Sequence, residues 1–153
     1  MKIAFYAGSC IPIHARTLDE RPLGGTETAL IRLAEELDRR GHEVVVFTSM
    51  KNPPSSKPLY LPSNKVLSFP PTAFELFVLV QDWTPAFLGA PGKRFFYWTG
   101  DGWEQYANYG IGDNRVPRRI ERLLAVSDWH ASVDQPTPLY RMSPEHRATG
   151  ASR

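Results

Sequence analysis

The chain has 153 residues, of which 42% are hydrophobic and 22% charged; these are the proportions of a globular domain, and they exclude a wholly disordered chain. A net charge of +2, with basic residues in short and scattered clusters, argues against nucleic acid as the partner. One cysteine excludes an intrachain disulfide framework and a cysteine-cluster zinc site, and no apolar run approaches the roughly 18 residues of a membrane span.

A strand, a helix and a second strand are predicted within about the first fifty residues. Residues 2–7 are short and β-prone. A helix is predicted to begin at Gly24, with Thr26 as its cap, and to stop at Gly41. Residues 43–48 form an apolar run typical of a strand buried on both faces. One helix face is apolar through Leu30, Leu33, Ala34 and Leu37. The other carries charge pairs four residues apart, namely Arg32 with Glu36, Glu35 with Arg39, and Glu36 with Arg40.

The remaining sequence extends this alternating pattern. The proline-rich residues 51–71 predict an extended loop. Further strands are expected at 66–69, 74–80, 93–98 and 123–126, with a short helix within 114–121. The fold class predicted is α/β, a Rossmann-like three-layer domain with a mostly parallel sheet over residues 1–131. Residues 132–153, broken by prolines, predict an irregular tail.

Polar or glycine-rich residues follow four of the predicted strands. Ligands of parallel α/β sheets bind beyond the carboxyl ends of the strands. We therefore expect these four segments to line one crevice: Gly8-Ser9, Gln81-Asp82-Trp83, Thr99-Gly100-Asp101 and Ser127-Asp128.

The first candidate site is the predicted helix start at Gly24, Gly25 and Thr26. Two glycines let a ligand approach the backbone, and the free amides at a helix N-terminus favour a phosphate. Neither G-x-G-x-x-G nor a Walker A motif is present. The alternative interpretation is a flexible loop followed by an ordinary helix cap.

The second candidate site follows the strand predicted at 93–98. A carboxylate between glycines and indole rings is suited to a sugar or another polar ligand. The residues concerned are Trp98, Thr99, Gly100, Asp101, Trp103 and Gln105. In the alternative interpretation, Trp98 belongs to the core and Asp101 caps a turn.

The histidines and the cysteine give weaker signals. His14 lies in the loop expected to face the crevice, and His42 follows the predicted helix stop. The four histidines, including His130 and His146, show no metal-ligand spacing, so no metal site is predicted. Cys10 is either a nucleophile or a small buried hydrophobe, and the second interpretation is favoured.

Several segments together resemble the N-terminal domain of family-4 glycosyltransferases of the GT-B type. The segments, which stand in the family's order, are residues 2–7, 22–27 (PLGGTE), 33–37 (LAEEL), 40–48 (RGHEVVVFT), 95–101 (FFYWTGD) and 124–130 (LAVSDWH). The resemblance implies a transferase with two Rossmann-like domains and an active site between them. Such enzymes move a sugar from a nucleotide-diphosphate donor to an acceptor, usually with retention, and need neither a bound metal nor another cofactor.

The resemblance also assigns roles to the candidate residues. It places Gly24, Gly25 and Thr26 at the donor diphosphate. Trp98, Thr99, Gly100, Trp103, Gln105 and Ser127 are then expected at the acceptor or sugar. Many relatives have a histidine after the strand at 95–98, where this sequence has Gly100 and Asp101. Asp101 is therefore the hypothetical catalytic residue.

The family's C-terminal, donor-binding domain has no counterpart in the 153 residues. We therefore expect a truncated glycosyltransferase that is inactive alone or works with a partner chain carrying that domain. The expected acceptor is a sugar or a lipid-linked sugar. Without a signal peptide the expected location is the cytoplasm, with contact at a membrane surface left open. The alternatives are a binding or docking module without activity, and a flavodoxin-like enzyme that uses Cys10 or His14.

Overall fold

Six parallel strands form one sheet in the computed structural model, which describes residues 1–100, 115–125 and 127. The strands are β1 (Lys2–Ala7), β2 (Glu43–Thr48), β3 (Leu59–Pro62), β4 (Phe74–Val80), β5 (Gly92–Trp98) and β6 (Arg122–Leu124). Their spatial order is β3-β2-β1-β4-β5-β6. All five pairings are parallel, which confirms the predicted α/β, Rossmann-like fold class.

The helices of the described chain are mostly short. They are α1 (Thr17–Glu20), α2 (Gly25–Arg39) and α3 (Val116–Arg119), with 3-10 helices at Ser63–Ser68 and Thr84–Phe87. None of the helices in these ranges has the length and apolarity that a bilayer crossing requires. The irregular tail predicted for residues 132–153 lies outside the described residues.

Helix α2 begins one residue after Gly24, whose extended backbone makes it the N-cap. The predicted cap at Thr26 is therefore wrong, because Thr26 already lies within the first helical turn. The core-facing residues of α2 are Leu30, Ile31 and Ala34, whereas Leu33 is 38% exposed. The buried stripe is thus rotated from the predicted one, since contact with the sheet and not hydrophobicity alone selects the face.

The exposed face of α2 carries ion pairs centred on Glu36. Its carboxylate contacts Arg39 and Arg40, each at 2.7 Å. The pair of Glu36 with Arg40 confirms one prediction; Arg32 pairs with Glu35 instead. Hydrogen bonds from Arg39 and then Arg40 lower the pKa of Glu36 to about 2. The helix ends where predicted, with Gly41 at a φ of +87°, a conformation that glycine adopts without strain.

Two predicted strands differ from the structure. Residues 66–69 do not form a strand, because Ser63–Ser68 is a 3-10 helix. The strand of this region is β3, which pairs with the second half of β2 from Val45↔Leu59 to Thr48↔Pro62. Pro62 is tolerated because β3 is an edge strand. The last strand, β6, lies at Arg122–Leu124 and not at 123–126.

The sheet separates two hydrophobic clusters. On one face, strand residues from β1, β2 and β4 pack with the buried residues of α2. On the opposite face, Phe47, Phe77 and Phe95 form a row across β2, β4 and β5, with ring centroids 6.1 and 5.6 Å apart. The two 3-10 helices and α3 cover this second face through residues such as Val66, Ala86 and Val116.

The centre of the sheet is also the point at which the direction of the connections reverses. From β1 the chain moves outward through β2 to β3, and from β4 it moves outward on the other side to β5 and β6. Neighbouring β1 and β4 therefore send their following loops to opposite sides. Such a topological switch point opens a crevice at the carboxyl edge of a parallel sheet.

Tyr60 supplies a test of the core. The residue is 1% exposed. Among the described residues, its hydroxyl oxygen is the one buried side-chain nitrogen or oxygen that has no hydrogen-bond partner. Because an unpaired buried hydroxyl is costly, Tyr60→Phe should stabilise the protein by up to about 1 kcal/mol in urea denaturation.

The equally buried Tyr97 is the matched control. Its hydroxyl is not among the buried polar atoms without a partner in the described residues, so Tyr97→Phe should destabilise the protein by about 1 kcal/mol. Equal losses of stability in the two variants would contradict the unpaired state of the Tyr60 hydroxyl.

Candidate functional site

Side-chain contacts tie the loop after β1 to the end of β4 at the switch point. The Ser9 hydroxyl donates to Asp82 Oδ2 at 3.1 Å. The Cys10 thiol donates to Gln81 Oε1 at 3.5 Å. Two of the four predicted strand ends therefore meet at one edge of the sheet.

Gln81 continues this connection to β5. Its backbone N–H donates to the Trp98 carbonyl at 3.0 Å. Its φ of +59° is in the left-handed region, which is uncommon for a residue other than glycine. Such conformations cluster at binding sites, where surrounding contacts hold them. From the sequence, Gln81 is predicted only to follow a strand and is given no role. No residue pattern indicates a left-handed φ at a glutamine.

The start of α2 meets the end of β5. A Cβ added to Gly100 would lie 2.6 Å from Thr26 Oγ1 and 3.4 Å from Gln81 Nε2. Gly100 is therefore needed for this close approach. Thr26 of the first candidate site and Gly100 of the second therefore lie next to each other.

Gly24 and Gly25 are both exposed at the N-terminus of the 15-residue helix α2. A Cβ on Gly25 would meet nothing within 4 Å, so the space beside its backbone is open. A Cβ on Gly24 would lie 2.8 Å from Glu27 Oε2. The amide end of α2 is thus accessible, but the Glu27 carboxylate already lies beside it.

The other predicted ligand residues differ in position. Thr99 is buried at the end of β5, beside Gly100. Trp98 is half-buried and packs against the cluster beneath α2, which agrees with its interpretation as a core residue. Ser127 is exposed beyond β6. Three predictions lie outside the described residues: Asp101, Trp103 and Gln105.

His14 is held within its own loop. It is 6% exposed, and its Nδ1 accepts from the Arg16 backbone N–H at 3.3 Å. Its Nε2 therefore carries the proton in the neutral ring and donates to Glu20 Oε2 at 3.0 Å. Both ring nitrogens of His14 are therefore engaged by residues of its own loop and of α1. No group of three or more His, Cys, Asp or Glu within the described ranges is arranged to hold a metal ion.

Tyr6 lies beside the switch point on the β2 side. Its phenol is hydrogen-bonded to Ser63, the first residue of the 3-10 helix that follows β3. Burial raises the pKa of Tyr6 above its usual value, and the negative charge of Asp82 adds to the effect. Asp82 in turn accepts from the Thr84 N–H and hydroxyl, at 3.0 and 2.6 Å.

The two causes of the Tyr6 shift are separable by mutation. Asp82→Asn removes the negative charge but not the burial, so the pKa of Tyr6 should fall only part of the way toward its usual value, about 10. Ultraviolet or NMR titration of the phenol measures this pKa. Asp19→Asn, which removes an exposed carboxylate paired with Arg16, should leave it unchanged. A Tyr6 pKa unaltered in Asp82→Asn would contradict the electrostatic coupling.

The raised pKa also determines the sign of a pH dependence. The neutral phenol is favoured in the folded state, so the stabilisation that Tyr6 contributes is present below about pH 10 and lost as pH rises through the folded-state pKa.

The contact between Gly100 and Thr26 predicts energetic coupling. Gly100→Ala should destabilise the fold by about 1–3 kcal/mol, because its methyl group overlaps Thr26 Oγ1. Adding Thr26→Ala removes that oxygen and should restore most of the loss in urea denaturation, giving a favourable coupling energy. Gly25→Ala, where the space is open, serves as the control and should not destabilise. Additive effects of Gly100→Ala and Thr26→Ala would rule out the contact.

The chain matches a known protein family. The family model described as Glycosyltransferase Family 4 matches residues 23–132, from the residue before Gly24 to beyond β6. No curated protein matches the chain, and no solved structure does. The match includes the start of α2 and the end of β5, the two segments that meet at Gly100. Because it covers well over half of the 153 residues, the chain belongs to glycosyltransferase family 4.

Proposed function

We propose that this chain forms the acceptor-side domain of a glycosyltransferase that moves a sugar from a nucleotide-diphosphate sugar to an acceptor with retention. The observation that carries the proposal is the contact of the α2 start with Gly100 at the switch point of the sheet. Membership in family 4 supports the same kind of reaction.

The donor diphosphate is proposed to lie against Gly24, Gly25 and Thr26. The first backbone N–H groups of α2 have no partner within the helix, and the helix dipole favours an anion there. The open space beside Gly25 supports a close approach of phosphate oxygens to the backbone. These amides would stabilise the negative charge that grows on the departing diphosphate.

The charges around this position support a requirement for a second domain. Thr26, Glu27 and Gln81, which lie at the α2 start and at Gly100, are neutral or acidic. Ser9 and Asp82 at the adjoining strand ends add no positive charge. Arg21, three residues before Gly24, donates to the Pro12 carbonyl. A diphosphate carries at least two negative charges, and the Glu27 carboxylate would have to move away from Gly24. We propose that a donor-binding domain, on a longer chain or a partner, supplies the missing cations. The 153 residues alone would then be inactive, because both domains are needed to hold the donor and the acceptor in a reactive arrangement.

The acceptor and transferred sugar are proposed to lie along the end of β5 and the residues that follow it. Thr99 and Gly100 border the α2 start, which supports their place beside the sugar. Asp101 follows Gly100 directly in sequence and is the proposed catalytic residue, whose carboxylate would accept hydrogen bonds from hydroxyl groups. Trp98, Trp103, Gln105 and Ser127 are proposed as further contacts to the acceptor.

Gly25→Leu tests the diphosphate position. The fold has room for the added side chain, which would occupy the space proposed for the phosphate. Titration of the 153-residue chain with UDP and GDP should shift the amide NMR signals of Gly25 and Thr26, whereas uridine and guanosine should not. Gly25→Leu should weaken diphosphate binding about tenfold or more, the loss of about 1.4 kcal/mol of binding energy.

Ala29→Leu is the matched control, because it adds the same side chain at an exposed position one turn further along α2. It should leave binding unchanged. Equal weakening in both variants, or no diphosphate-dependent shift at Gly25, would contradict the site. Sugar transfer or donor hydrolysis by the 153-residue chain alone would contradict the need for a second domain.

A docking module without activity is the second candidate function. Phe87 and Leu88 after β4 are 43% and 70% exposed, and such apolar groups often mark partner contacts. In this case binding of nucleoside diphosphates would appear only after a second protein is added.

A further inference from the structure

An open cavity lies at the carboxyl edge of the sheet, where β2 and β3 end. It has a volume of about 390 Å³ and is lined by residues 49–52 and 62–64. These segments follow β2 and end β3, whose register pairs Thr48 with Pro62. The parallel pairing therefore brings two loop starts together around the cavity.

The two hydroxyl groups in its wall are already used by the fold. The Ser49 hydroxyl donates to the Cys10 carbonyl at 2.8 Å. Ser63 is hydrogen-bonded to the Tyr6 phenol. Both walls are thereby fixed to β1 and to the loop that follows it.

The polar side chains of the cavity that the fold does not use all carry hydrogen-bond donors, and the two asparagines also carry a carbonyl acceptor. Lys51, Asn52 and Asn64 are exposed, and no side-chain hydrogen bond or ion pair engages them within the part of the chain that the structure describes. Together they offer an ammonium group and two amide NH₂ groups. Lys51 is the charged residue among those that line the cavity, and no Asp or Glu is among them. This set of groups is suited to an anionic ligand with several oxygens.

The volume of the cavity indicates a ligand larger than a free anion. Small-molecule sites generally span about 300–1,000 Å³, a range that includes this cavity and exceeds the needs of a single phosphate. A lysine flanked by neutral amide donors is suited to a phosphoryl group, because the ammonium acts as a point charge and the amides bind the remaining oxygens.

The cavity is also connected to the proposed transfer site. A Cβ on Gly8, directly after β1, would lie 3.0 Å from Ser63 Cβ and 2.6 Å from the Tyr6 hydroxyl oxygen. The loop at Gly8 thus packs against the cavity wall, and the next residue, Ser9, contacts Asp82 at the switch point. The cavity wall and the switch point are therefore joined by the two consecutive residues Gly8 and Ser9.

We propose that this cavity binds a phosphoryl group of the acceptor, with Lys51 as the main charge contact and Asn52 and Asn64 as donors. The identity of the ligand as acceptor rests on the proposed glycosyltransferase function. The phosphoryl group belongs either to a phosphorylated sugar or to a phospholipid headgroup, and the chemistry of recognition is the same.

Binding of glucose 6-phosphate to the 153-residue chain, with glucose for comparison, tests the proposal. Saturable NMR shifts in residues 49–52 and 62–64 are expected with the phosphate ester and not with glucose. Lys51→Gln should weaken binding about tenfold or more, the loss expected for one charged hydrogen bond. Lys93→Gln is the control, because this exposed lysine near the start of β5 has the same charge and lies at the opposite sheet edge; its affinity should stay within about twofold.

Vesicles containing phosphatidic acid, compared with vesicles of phosphatidylcholine alone, form the second arm. If Lys51 is required for binding to these vesicles and glucose 6-phosphate does not bind, the phosphoryl site is supported and is assigned to a lipid headgroup. Binding of neither probe, or equal losses in Lys51→Gln and Lys93→Gln, would overturn the proposal.

Nucleoside diphosphate binding separates this proposal from the function on which it rests. Lys51→Gln should leave the response of Gly25 to UDP and GDP unchanged, and loss of that response would overturn the separation of the two sites. Lys51-dependent binding of glucose 6-phosphate without any response of Gly25 would overturn the proposed function while supporting the phosphoryl site.

Discussion

The pairing of β1 with both β2 and β4 is the constraint on which the rest of the structure depends. It places β1 at the centre of the sheet, buried on both faces, and it reverses the direction of the connections between β1 and β4. Because all strands are parallel, the loops after β1, β4 and β5 emerge at one edge. Hydrogen bonds from Ser9 and Cys10 to the residues after β4 then close that edge into a defined site.

The same edge separates two kinds of chemistry. At the switch point the exposed amide end of α2 lies among neutral and acidic side chains, with Glu27 beside Gly24. At the ends of β2 and β3, a lysine and two amides surround a cavity whose described lining contains no carboxylate. Tyr6 and Gly8 connect the two regions through Ser63. Under the proposed function, an anionic acceptor would lie on one side of this edge, and another domain would neutralise most of the donor's charge.

Continuous apolar runs made the inner strands predictable. The bounds of β1, β2 and β4 follow from such runs, since a strand buried on both faces requires apolar side chains throughout. The edge strand β3 gave no such signal, because Leu59–Pro62 contains a proline and is only partly buried. The cap of α2 was misassigned because local propensity favours Thr26, whereas the helix already begins at Gly25 with Gly24 as its N-cap.

The order of apolar runs, glycines and helix signals in the sequence determined the fold class, the inner strands, the stop of α2 at Gly41 and the resemblance to family 4. These features depend on local periodicity and on residues such as Gly41, whose backbone conformation few other residues adopt without strain. The tertiary structure alone decided which strand ends meet, that Thr26 lies against Gly100, that Gln81 takes a left-handed φ, and that Lys51 lines a cavity with Asn64. Each of these is a contact or constraint between segments far apart in the chain, and the parallel order of the sheet creates it.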